Sequence, residues 1–131
     1  METGPHMLTS EDRTWGMLAH LLAAGGYFLG LLAWAGPLVV WLVKRNSSPF
    51  AAYHGLQSLY FQLVWMAALT VGWIVTVVLM MLLVGFLLIP VMCALTLVPV
   101  IWAVVAGVKA NAGEWYEYPL AGRWAARTLG M

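Results

Sequence analysis

Charged residues divide the chain into long silent stretches. Glu11-Asp12-Arg13 precede a charge-free run of 30 residues, Thr14–Val43. Lys44-Arg45 interrupt, and a second run of 63 residues, Asn46–Val108, follows. Lys109, Glu114, Glu117, Arg123 and Arg127 come last. A helix crossing a bilayer needs about 20 apolar residues, so the longer run holds two spans, divided near Val84-Gly85-Phe86. Asn46-Ser47-Ser48-Pro49 marks its start, with Ser48 placed to cap and Pro49 at the first helical position. The pattern predicts helices over about Pro49–Leu83 and Phe86–Asn111. The second carries Pro90 and Pro99, which membrane helices tolerate when neighbouring groups satisfy the freed carbonyls.

The shorter run is broken by Gly25-Gly26, Gly30 and Gly36-Pro37. It reads either as one kinked span or as two short helices, about Ser10–Ala24 and Leu31–Lys44, turned at the glycines. Charge placement favours the hairpin. It brings the N-terminus, Lys44-Arg45 and the C-terminal segment to one face and leaves the turns near Gly26 and Gly85 uncharged. Basic residues are retained on the cytoplasmic side, so both termini are expected there, in a bacterial inner membrane. Beyond Gly113 the segment Glu114–Pro119 is aromatic and charged, as suits a headgroup layer. Leu120–Leu129 then reads as a short interfacial helix, with Arg123 and Arg127 on one side and Trp124 nearby. The expected fold is all-α: a polytopic four-helix bundle of two short helices in a hairpin and two long spans, plus the interfacial C-terminal helix. Residues 7–131 form a single transmembrane domain. Met1–His6 reads as an expression remnant ahead of a native start at Met7, and no signal peptide is expected.

Composition closes off the alternatives. Hydrophobic residues make up 63% of the chain and charged residues 8%, against about 25% charged in soluble domains. That excludes a soluble or disordered chain. Six Lys and Arg cannot form the basic stripe of a nucleic-acid binder. The single cysteine, Cys93, excludes an internal disulfide and a Cys-rich metal site.

Several motifs stand in a fixed order: Arg13–Leu21 (RTWGMLAHL), the stretch AGPLVVWLVKRNSSPFAAYHGLQSLYFQ, and VKANAGEWYEYPL near the C-terminus. Together they resemble domain-of-unknown-function family 4870 over nearly all of Glu11–Arg127. That family consists of small, mostly bacterial polytopic proteins related to the Tic-type channel subunit of the chloroplast inner envelope; some magnetosome membrane proteins resemble it too. The resemblance implies three or four membrane helices, with the Tic relatives favouring four and both termini on one side. It implies no established biochemical activity.

Candidate chemistry is sparse. His20 lies within an apolar run, where an ionisable group is costly. His54, Gln57, Ser58 and Gln62 fall along one side of a helix, as a polar lining or as interhelical hydrogen bonds. Lys109, Asn111, Glu114 and Tyr116 form a second cluster, suited to a ligand or partner or to stopping a helix at Gly113. Trp115, Tyr118, Arg123, Trp124 and Arg127 are expected at lipid headgroups. His20 and His54 supply at most two metal ligands and no third is evident, so neither a metal nor a cofactor is expected. Catalytic signatures are missing, and Asp12 is the only Asp. Small residues at Ala103-x-x-x-Gly107 and Ala106-x-x-x-Ala110, and Gly72 with Thr76, allow close helix approach.

The expected function is a non-enzymatic membrane protein that organises or assembles membrane components. Its partners are the lipid bilayer and other membrane proteins or copies of itself. The alternative is a channel or transporter subunit with a pore formed by oligomerisation. The shared face of the termini has a direct test. Single cysteines at Asp12 and Glu117, in a Cys93→Ala background, are expected to label from one side of sealed vesicles; labelling from opposite sides would leave only the single kinked span.

Overall fold

The computed structural model describes residues 7–131; the presumed remnant Met1–His6 lies outside the described residues. Five α-helices follow in order: α1 (Ser10–Gly26), α2 (Ala35–Lys44), α3 (Pro49–Met80), α4 (Gly85–Asn111) and α5 (Ala121–Leu129). The expected hairpin is present. Its turn is made of two short 3-10 stretches, Tyr27–Leu29 and Leu31–Trp34. Gly30 stands between them at φ +76°, a conformation open to glycine at no steric cost. These turns consume residues that the sequence pattern assigns to the second helix, so α2 begins at Ala35 rather than Leu31. Likewise α3 stops at Met80, three residues before the expected Leu83, because a turn over 81–84 places Leu83 at φ +63°.

Local chemistry explains where the helices begin and end. Thr9 caps α1: its hydroxyl accepts from the Asp12 N–H, and the Asp12 carboxylate accepts from the Thr9 N–H, each at 3.0 Å. The two reciprocal bonds satisfy donors that have no partner within the helix. Ser48 caps α3 by accepting from the Ala51 N–H, with Pro49 behind it. Its hydroxyl also donates to Asp12 at 2.6 Å, joining the starts of α1 and α3. Lys44 at the end of α2 pairs with Glu11 and lies over the Trp15 ring at 4.8 Å. The open end of the hairpin is thereby closed.

α1 packs against α2, α3 and α4, while α2 and α5 pack on α3. Small residues set the approach. Gly16 meets Phe50 and Ala110, and Gly107 meets Leu21 and His20. Ala19, Ala23, Ala103, Ala106 and Ala110 are completely buried. Gly55 of α3 lies directly against the backbone of Trp41 in α2.

The helices differ greatly in length. At 1.5 Å per residue, α3 extends about 48 Å and α4 about 40 Å, whereas α1 extends about 26 Å and α2 about 15 Å. The most apolar stretches of α3 and α4 have mean hydropathies of 2.3 and 2.5, yet only 6% and 17% of them is buried in protein. Core helices of a soluble protein would be buried; here the apolar surface faces lipid. Along α3 burial is broken only at half-buried Tyr60 until it ends at Gln62. Beyond it only Leu69 and Thr76 are buried, on the side that meets α4 through Gly72 and Met92. The molecule is thus an all-α polytopic membrane fold with two long spans and shorter flanking helices, compact at one end and a bare two-helix hairpin at the other.

The α2–α3 contact yields a stability prediction. A methyl at Gly55 would sit 2.8 Å from the Trp41 backbone nitrogen, and neither backbone can yield cheaply. Gly55→Ala is expected to cost about 1–3 kcal/mol through overpacking, read as a lower midpoint of thermal unfolding in detergent.

Candidate functional site

The compact end encloses a polar network. It joins α1, α3 and the aromatic linker between α4 and α5. His20 and His54, 34 positions apart in sequence, meet with Nε2 of His20 2.9 Å from Nδ1 of His54. The rings stand nearly perpendicular, their centroids 5.1 Å apart. Nδ1 of His20 lies 3.1 Å from the Tyr118 hydroxyl, and Nε2 of His54 lies 3.1 Å from the Glu114 carbonyl oxygen. The carbonyl only accepts, so His54 carries its proton on Nε2. With one proton on each ring, Nδ1 of His54 must accept, His20 donates from Nε2, and the Tyr118 O–H donates to His20. The direction of every bond in the chain from Tyr118 to Glu114 is fixed by that terminal carbonyl.

Gln57 braces the same chain. Its amide nitrogen donates to the Tyr116 carbonyl at 2.7 Å and lies 3.1 Å from Nδ1 of His54. Its amide oxygen accepts from the Tyr118 N–H at 3.1 Å. One side chain therefore pins two backbone groups of a linker that has no regular secondary structure. Ser58, one helical turn beyond His54, donates to the Ala19 carbonyl at 3.0 Å. His20, His54, Gln57, Ser58, Gln62 and Tyr118 are all fully buried. Gln62 differs from the others: neither amide atom has a hydrogen-bond partner among the described residues.

The linker is positioned at both ends. At the end of α4, Gly113 takes φ +85°. The Gly113 N–H donates to the Ala110 carbonyl and the Glu114 N–H to the Lys109 carbonyl, each at 3.0 Å, which is the paired-bond glycine stop of a helix. Lys109 reaches Glu114 at 3.0 Å and lies 5.6 Å from the centre of the Tyr116 ring; Asn111 is exposed beside them. The Tyr116 hydroxyl accepts from the Trp102 indole N–H at 2.7 Å. This second cluster therefore serves to end a helix and anchor the linker, and its members lie at the surface or half-buried.

The residues expected at lipid headgroups separate into two groups. Trp115 and Trp124 are part-exposed at 45% and 41%, and Arg123 and Arg127 are exposed. Trp115 also packs on Phe50 and Tyr53, and Trp124 meets the edge of Tyr60. Tyr118 is different. It is completely buried, its ring stacked on Phe61 with centroids 4.2 Å apart, and burial pushes its phenol far above the usual tyrosine range. Its hydroxyl finds a partner in His20 rather than in water. Aromatic alternation concealed this, because the sequence does not reveal which rings of a Tyr-x-Tyr segment turn inward.

The contrast between Gln57 and Gln62 is testable. Gln57→Leu strands the buried Tyr118 N–H and the part-buried Tyr116 carbonyl. A loss of about 1–3 kcal/mol is expected for each buried group left unpaired. Gln62→Leu removes an amide that has no protein partner and is expected to leave stability unchanged or raised. Equal losses in the two unfolding curves would refute the assignment of partners.

Apart from Gln62, the buried polar groups of the site are engaged with each other and with backbone, and no cluster of three or more metal-ligating side chains occurs among the described residues. The chain matches the family described as the magnetosome magnetite crystal formation protein family, MamF/MmsF, over residues 11–125. No curated protein and no solved structure matches it. The family match corrects the kinship expected from the motifs: they place the chain neither in domain-of-unknown-function family 4870 nor with Tic-type proteins. The physical basis for the misreading lies in what the motifs do. Gly55 admits Trp41, Ser48 caps α3 and Tyr118 meets His20, so they encode the packing of membrane helices. The chain belongs to the MamF/MmsF magnetosome magnetite crystal formation family, as a multi-pass bacterial membrane protein engaged in organising membrane-associated structures.

Proposed function

We propose that this chain acts as a membrane scaffold in magnetite crystal formation, assembling with copies of itself or with other membrane proteins through its compact end, which faces the cytoplasm. The observation that carries the reading is the internal use of the buried polar groups. His20, His54, Gln57 and Tyr118 bond one another and the linker backbone. They hold a rigid end face whose exposed groups include Arg45, Asn111, Glu114, Arg123 and Arg127. Rigid presentation of surface groups is what a docking platform requires.

The channel alternative finds less support. Between Leu63 and Leu88 the polar side chains are Thr70 and Thr76, apart from the indoles of Trp65 and Trp73. The Thr76 hydroxyl donates to the Gly72 carbonyl of its own helix at 2.8 Å. A solute crossing there would meet almost nothing able to replace its water.

Two measurements test the proposal together. Vesicles containing the protein are expected to leak ions no faster than protein-free vesicles. In native membranes a cysteine at Asn111, in a Cys93→Ala background, is expected to form discrete cross-linked species with a bifunctional thiol reagent. Protein-dependent ion flux would favour the pore, and the absence of any cross-linked species would remove the scaffold.

A further inference from the structure

We propose that the molecule is a wedge that prefers strongly curved bilayers, with the leaflet at its compact end on the convex side. The inference rests on the bilayer placement of α3 and α4 and does not depend on whether the chain assembles with a partner.

Shape is the first observation. α2 has 10 residues, about 15 Å, which is half the roughly 30 Å hydrocarbon core. The uncharged part of α1, from Thr14 to Gly26, extends about 20 Å, again less than the core. Close packing aligns the hairpin with the compact end: Gly16 lies beside Ala110, His20 beside Gly107, and Trp41 beside Gly55. The hairpin tip therefore ends partway along the spans, and the near-continuous burial of α3 stops at Gln62. Trp65 still packs against the cluster that includes Tyr118 and Ala121; beyond it to Met80, and from Gly85 to about Pro99, the protein consists of two helices alone. Near one face α1 and α2 add two further helices, each about 10 Å across, and α5 packs there as well. One leaflet must accommodate roughly twice as many helices as the other.

The ends differ in chemistry as they do in width. At the hairpin tip Phe28 is 85% exposed and Leu29 71%, with no charged or ionisable group other than Tyr27 between His20 and Lys44. Such a tip belongs in acyl chains rather than at a second aqueous face. All charged side chains among the described residues lie at the compact end.

The third observation is α5. It packs on α3 through Ala121 and Ala125, both buried, while Arg123 and Arg127 are exposed and Trp124 is part-exposed. Tyr60 of α3 bonds Thr128 at 3.0 Å, and Gly122 lies beside Tyr53 and Gln57, which holds this strongly amphipathic helix at the level of the first turns of α3. Amphipathic helices seated in the headgroup layer bind in a curvature-sensitive manner. α5 therefore widens the same leaflet that α1 and α2 already widen.

The test uses the whole chain with a fluorophore at Asn46→Cys, an exposed position in the loop between α2 and α3, in a Cys93→Ala background. The protein is reconstituted into vesicles of mixed phosphatidylcholine and phosphatidylglycerol covering a broad range of diameters. Protein per lipid is read vesicle by vesicle, and a membrane-impermeant quencher reports orientation. Molecules with Asn46 outward are expected to be enriched severalfold in the smallest vesicles, and those with Asn46 inward depleted there. The opposite orientation is an internal control that needs no variant. Equal densities at all sizes, or equal sorting of both orientations, would overturn the proposal. Arg123→Glu with Arg127→Glu changes two exposed side chains and is expected to weaken the enrichment without abolishing it; complete loss in a folded variant would overturn the role given to the short hairpin. Leu29→Cys should resist impermeant thiol reagents added to either side. Labelling from the side opposite Asn46 would mean that the hairpin crosses the bilayer, and the wedge would fall with it.

Discussion

The hydrogen bond between His20 and His54 joins α1 to α3 in a site where both rings are fully buried and every partner must come from the protein itself. In lipid an unpaired polar group costs several kcal/mol, while a pair made there returns much less than that. The constraint therefore acts mainly as a prohibition: the rings must meet, and whatever brings them together is enforced. Gly16 and Gly107 let α1 approach α3 and α4 closely. Ser58 bonds the Ala19 carbonyl just before His20. Tyr118 reaches in from the linker to occupy the remaining imidazole nitrogen. Each is a consequence of placing two imidazoles in a fully buried site.

The same constraint organises the linker. A segment with no regular hydrogen-bonding pattern cannot be buried unless its backbone groups are individually satisfied. Gln57 accepts from one residue of the linker and donates to another, and His54 donates to the Glu114 carbonyl. The linker in turn delivers α5 across α3. A short amphipathic helix that would be marginal alone thus acquires a fixed position from side chains that lie two helices away in sequence.

Much of this was legible from residue order. Two charge-free runs separated by Lys44-Arg45 gave the division into a short hairpin and two long spans, and Ser48-Pro49 located the start of α3. The inward side of His54, Gln57, Ser58 and Gln62 followed from helical spacing. What could not be read were pairings across sequence distance. Nothing in a single chain says that His20 meets His54 rather than Gln62, or that Tyr118 turns inward while Trp115 stays part-exposed. Those outcomes depend on how far α1 slides along α4, which the contacts at Gly16 and Gly107 decide. Family kinship was misread for a related reason: Trp, His, Gly-Pro and Tyr-Pro motifs report how short membrane helices pack, and proteins of different function share that problem.

The division of the chain into a polar end and a bare end also explains how a protein of this size can be stable in lipid. Helices in a bilayer gain little from hiding apolar surface, because acyl chains are as apolar as leucine. Specific association must come from close packing and hydrogen bonds. Both are concentrated between Trp15 and Tyr118 at the compact end, where alanines and glycines permit contact and the buried polar groups demand partners. Beyond Gln62 neither device is dense. Gly72 meets Met92 of α4, and at the turn Gly85 lies against the backbone of Met80 at the end of α3. A third helix there would need its own small residues and polar partners. The sequence from Leu63 to Leu88 supplies large aliphatic side chains instead, so lipid competes on equal terms with protein and the fold narrows to two helices.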